Sequence, residues 1–114
     1  MQVKKTYRNV NPELLYDEAR DFILKQGAAL GEKVMETYSL PGGSSHVARG
    51  TLTFFMPAPG GKGEKECIRV HVVGSAEGET KMMLDIDEKL FRPVNVAALE
   101  EDLDFIFGSS EVSD

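Results

Sequence analysis

Apolar and polar positions change period several times along the chain, and each change predicts an element. In Gln2–Arg8, Val3, Lys5 and Tyr7 fall on one side of an extended segment, and Lys4, Thr6 and Arg8 on the other. Asn11-Pro12 then signals a helix start, because Asn caps free backbone N–H groups and Pro is tolerated at the first helical position. Leu15, Ala19, Phe22, Ile23 and Gln26 make one helical face, widened by Leu14, and Gly27 suits a left-handed stop. Four strand-like segments follow, over 30–40, 46–56, 66–74 and 80–89. Turns at 41–45 and 75–79 and a loop at 57–63 separate them. In the last three strands Leu52, Phe54, Ile68, Val70, Val72, Met82, Leu84 and Ile86 alternate with polar neighbours, which predicts one packed and one open sheet face. After Arg92-Pro93 a second helix runs to Phe107, with Val96, Leu99, Leu103 and Ile106 as its stripe and Gly108 as its stop.

The order strand, helix, four strands, helix predicts an α+β domain of two layers: a curved antiparallel sheet with both helices on one face. It covers 1–108, followed by a flexible acidic tail at 109–114. By topological analogy the order resembles the TATA-binding-protein-like and helix-grip folds, which host unrelated functions. The turns imply a register: Val72 opposite Met82, Val70 opposite Leu84, Ile68 opposite Ile86, and a row Thr53–Arg69–Asp85 on the open side.

Charge narrows the partners. The net charge is −6, yet residues 1–92 balance acids against bases; the excess lies in Glu100, Glu101, Asp102, Asp104, Glu111 and Asp114. No basic stripe of the kind that displaces counterions from nucleic acid is visible. No apolar run approaches the ~20 residues of a membrane span, and the N-terminal segment has no apolar h-region. The single cysteine, Cys67, precludes an internal disulfide. A cytoplasmic protein without nucleic-acid or membrane partners is expected.

Candidate chemistry is sparse. The loop Gly60-Gly61-Lys62-Gly63 precedes a strand, whereas a phosphate loop precedes a helix, so it reads as a hairpin loop. His46 and His71 lie about 17 Å apart along the strands, and Cys67 and His71 about 13 Å apart, too far to share a metal ion. No cofactor is expected. Cys67, placed outward beside Arg69, lacks a base to activate it.

Val47, Arg49, Phe55, Arg69, His71, Val73, Met83 and Asp85 share the open face, where apolar residues among charges suit association with a second copy. Glu32 and Glu36 fall beside Leu30, Val34 and Tyr38, which would turn carboxylates inward. A bulge, a Lys5 partner or a polar pocket would each resolve that conflict. The pocket version groups Glu36, Tyr38, Gly50 and Lys5 between helix and sheet and suits a small apolar ligand, with isomerase or cyclase-type activity as its enzymatic form. The leading expectation is a non-enzymatic interaction domain forming a homodimer through the open face; the pocket is the alternative.

Overall fold

The computed structural model describes residues 1–42, 46–75 and 77–112. Its elements are β1 (Gln2–Arg8), α1 (Pro12–Lys25), β2 (Ala29–Ser39), β3 (His46–Pro57), β4 (Glu64–Gly74), β5 (Glu79–Ile86) and α2 (Pro93–Phe107), closed by a 3₁₀ turn at Gly108–Ser110. The strands form one antiparallel sheet in the order β1-β5-β4-β3-β2. The fold is α+β, as the alternation predicts. Parts of two expected turns, 43–45 and 76, and tail residues 113–114 lie outside the described residues.

Local chemistry sets the helix ends. Asn11 Oδ1 accepts from the backbone N–H groups of Glu13 at 2.8 Å and Leu14 at 3.3 Å, with Pro12 as first helical residue. Gly27 follows with φ of 99°, the left-handed geometry that favours glycine. Leu15, Tyr16, Ala19 and Ile23 of α1 and Val96, Leu99, Leu103 and Phe107 of α2 are buried in one core with Leu52, Phe54, Ile68, Val70, Val72, Met82 and Leu84. Leu14 and Ile106, expected in the stripes, stay exposed, and Tyr16 and Phe107 take those places. The centres of both stripes, Leu15, Ala19 and Ile23 in α1 and Val96, Leu99 and Leu103 in α2, are buried as expected; only the flanking positions differ.

The central register is as expected. Ile68 pairs with Ile86, Val70 with Leu84 and Val72 with Met82, and Thr53, Arg69 and Asp85 form one row. Two bulges produce the departures. The register of β2 on β3 shifts between Leu30 and Lys33, so Val34, Glu36 and Tyr38 align with Thr51, Arg49 and Val47 on the open face. The peptide N–H of Glu32 donates to Thr53 Oγ1 at 2.7 Å, which holds the irregular turn of chain. The second shift lies between Phe54 and Phe55, leaving Cys67 as the extra residue of β4. An extra residue reverses the alternation beyond it, and Cys67 sits in the core instead of facing outward. The strand expected over 80–89 ends at Ile86, where Asp87 begins a turn whose carbonyl accepts from Leu90 and Phe91.

The largest departure concerns the C-terminal segment. The N–H of Val112 donates to the Thr6 carbonyl at 2.8 Å, and Glu111 forms a bridge to Tyr7. Residues 111–112 therefore lie along the outer edge of β1 instead of trailing into solvent.

Candidate functional site

Strand order brings β1, β5 and β4 side by side, and their outward residues form a grid of two rows. One row is Lys4–Met83–His71; the next is Thr6–Lys81–Val73. Neighbouring strands are ~4.8 Å apart, so six side chains from three strands share a small patch. They floor an open cavity of about 660 Å³ on the face away from the helices. Glu111 and Val112 form its wall along β1. Without the edge pairing of the C-terminal segment, the grid would be a flat surface.

The grid combines two chemistries. Val73 and Met83 give it an apolar floor, with Val73 37 % exposed. Lys4 and Lys81 have no ion-pair or hydrogen-bond partner among the described residues. His71 Nδ1 lies 3.4 Å from Thr51 Oγ1, one of the two supplying the proton, which leaves Nε2 without a protein partner among the described residues. The acid in the wall is already engaged: Lys5 Nζ lies 3.3 Å from Glu111 Oε1 and 3.7 Å from Asp104 Oδ1. Lys5 reaches these from the helical side, so the two open-face lysines remain the uncompensated charges. Beneath the wall, the Tyr7 hydroxyl is buried with no hydrogen-bond partner among the described residues, its ring centroid 5.8 Å from that of Phe107. Burial first, and then Glu111, Asp104 and Glu100, hold its phenol neutral far into the alkaline range.

The residues grouped for a pocket between helix and sheet do not converge. Glu36 and Tyr38 lie on the open side of β2, where the Tyr38 hydroxyl donates to the Glu36 carboxylate. That contact is the first cause raising the Tyr38 phenol above its ordinary value. Lys5 sits on β1, at the opposite edge of the sheet. Gly50 does face the helices, but the Tyr16 ring fills the space over it: a Cβ there would lie 2.5 Å from a ring carbon. Tyr16 completes the contact by donating to the Thr51 carbonyl at 3.3 Å. The glycine admits a protein side chain.

Of the expected association residues, His71, Val73 and Met83 belong to the grid. Arg69 and Asp85 occupy the row beside it without pairing together. Arg69 Nη2 contacts Glu66 Oε1 at 2.9 Å, an interaction that raises the guanidinium pKa, and Asp85 Oδ1 accepts from Gln2 Nε2 at 3.0 Å. Val47, Arg49 and Phe55 lie on β3 and continue the face toward β2. Lys4, Thr6 and Lys81 were not singled out by sequence reasoning. Alternation does put all three on the open side, and the β4–β5 register sets Lys81 beside Val73; for Lys4 and Thr6 the missing information was that β1 pairs with β5.

Cys67 is buried, and that burial pushes its thiol up to about 11, the reverse of an activated nucleophile. Among the described residues no three His, Cys, Asp or Glu side chains are grouped to hold a metal ion. None of the described helices is long and apolar enough to cross a membrane. Comparison with protein-family models, curated proteins and solved structures yields no match.

Proposed function

We propose that the protein is a binding module whose open-face cavity takes a small amphipathic anion of the medium-chain carboxylate class. The observation that supports this reading is the pair Lys4 and Lys81, uncompensated at two positions of a floor made by Val73 and Met83. A carboxylate between two ammonium groups gains charge-assisted hydrogen bonds, while its chain covers apolar surface. The volume lies within the range of roughly 300–1,000 Å³ common to small-molecule sites. Calorimetric titration with decanoate, decanol and inorganic phosphate tests the reading. Decanoate should bind most tightly, and Lys4→Gln or Lys81→Gln should each weaken it by about tenfold. Equal binding of decanol, or no effect of the double variant, would overturn it.

A second reading, self-association through the same face as a homodimer, has its own support. On β5, Met83 stands between Lys81 and Asp85 on the open side. A two-fold axis across the face at Met83 would set Lys81 of each copy against Asp85 of the other. Lys81→Glu should then disperse the dimer, and adding Asp85→Lys should restore it.

A further inference from the structure

Met83 stands at the centre of the cavity floor, and its four nearest neighbours on the open face are all polar. Lys4 of β1 and His71 of β4 flank it across the strands, while Lys81 and Asp85 precede and follow it along β5. Lys4, His71 and Lys81 line the cavity and can offer N–H donors. Asp85, on the fourth side, accepts from Gln2 Nε2 at 3.0 Å. A headgroup resting on Met83 and turned away from Asp85 therefore meets three donors, of which the lysine pair uses two. His71 is the third.

The imidazole is half-buried and held so that it can gain a proton without losing a bond. Its Nδ1 lies 3.4 Å from Thr51 Oγ1, on the β3 side. The two ring nitrogens point in nearly opposite directions, so Nε2 turns toward β5 and the cavity. A threonine hydroxyl both donates and accepts: the neutral ring takes the Thr51 proton, and the protonated ring donates to the same oxygen. Other charges face the ring from every neighbouring element. Lys4 and Lys81 lie across the floor, Arg49 of β3 and Arg69 of β4 at diagonal positions, Asp85 on β5 and Glu111 in the wall. Arg69 is paired with Glu66, Glu111 with Lys5, and Arg49 stands opposite Glu36. We infer that His71 is the third headgroup ligand of the cavity, donating from Nε2 in its protonated form, so that the site loads on acidification and unloads as pH rises. The inference rests on the cavity being an anion site and adds the regulation of that site. By linkage, a proton on His71 and an anion over Met83 each favour the other.

Octanesulfonate provides the test, because its headgroup stays ionised throughout, whereas imidazole is the side chain that ordinarily changes charge between about pH 5 and 8. Calorimetric titration at constant ionic strength should show the dissociation constant rising about tenfold across that window. Near neutrality, titrations in two buffers of different ionisation enthalpy should show protons taken up on binding. His71→Gln should flatten the profile at weak binding and abolish the proton uptake. His71→Lys, which fixes a third charge, should flatten it at tight binding. Circular dichroism should show both variants folded. A slope that survives His71→Gln overturns this inference alone. So does a flat profile in the unmodified protein whose binding Lys4→Gln still weakens. Absence of octanesulfonate binding at every pH overturns it together with the cavity reading.

Discussion

The first and second strands form opposite edges of one sheet, and the shorter is the better covered. β1, seven residues long, alternates exposed and covered positions, buries Tyr7 fully and carries residues 111–112 on its outer side. β2, eleven residues long, is exposed on both faces. Each has one hydrogen-bonded neighbouring strand, so pairing alone does not separate them. What differs is the layer above: α2 ends over β1, as the Tyr7–Phe107 and Lys5–Asp104 contacts show, whereas β2 extends past the helices and meets the core through Met35. A strand is secured by the apolar surface it buries, and its length adds little when both faces remain wet.

The largest test of this comparison cuts the tie between the β2–β3 arm and the helices. Gly50→Val inserts a branched side chain where the Tyr16 ring lies, and should cost about 1–3 kcal/mol in urea unfolding. If the arm instead separates without loss of global stability, the body alone carries the fold.

Alkaline titration probes the body without touching the arm. The Cys67 thiol is raised from 9.0 to about 11 in the folded state, mainly by burial. Above pH 9 the unfolded chain releases this proton before the folded one does, so stability should fall as pH rises, by up to roughly 2–3 kcal/mol near pH 11. Tyr7, raised for the same first reason, adds in the same direction above pH 10. Cys67→Ala should flatten the slope between pH 9 and 11, and an unchanged slope would assign it elsewhere.

The smallest effect is expected at the covered edge. Val112→Pro removes the N–H that Thr6 accepts and should cost about 1 kcal/mol while opening the cavity wall. Decanoate binding should weaken with it, because Glu111 and Val112 line the cavity. Unchanged binding would show that the segment beside β1 is not part of the site.

The parts of this fold legible in the sequence are those where alternation runs unbroken. From Ile68 to Val72 and from Met82 to Ile86 every second residue is apolar, so a turn between them is enough to set register. The β2 segment fails the same test because Gly31 and Glu32 absorb a shift of face that apolar content does not mark. Gly31 is the local clue: the Phe55 ring lies where its side chain would be. Cys67 fails likewise, being a small apolar residue acceptable on either face. In the site, His71, Val73 and Met83 follow from alternation alone. Lys81 follows from the β4–β5 register as well, whereas Lys4 and Thr6 require the long-range pairing of β1 with β5, and the wall requires tertiary docking of a polar segment. Neither leaves a periodic trace.

That long-range pairing has a consequence for how the chain is made. Gln2 bonds to Asp85 across 83 positions, and Lys5 to Glu111 across 106. During vectorial synthesis β1 leaves the ribosome first and waits for β5, while the β2–β3 and β3–β4 hairpins close as they emerge. Contacts of such separation slow folding, because chain closure must precede any gain from pairing. Until β5 emerges, the growing sheet is open along β4, an unpaired edge of the kind that invites wrong pairing.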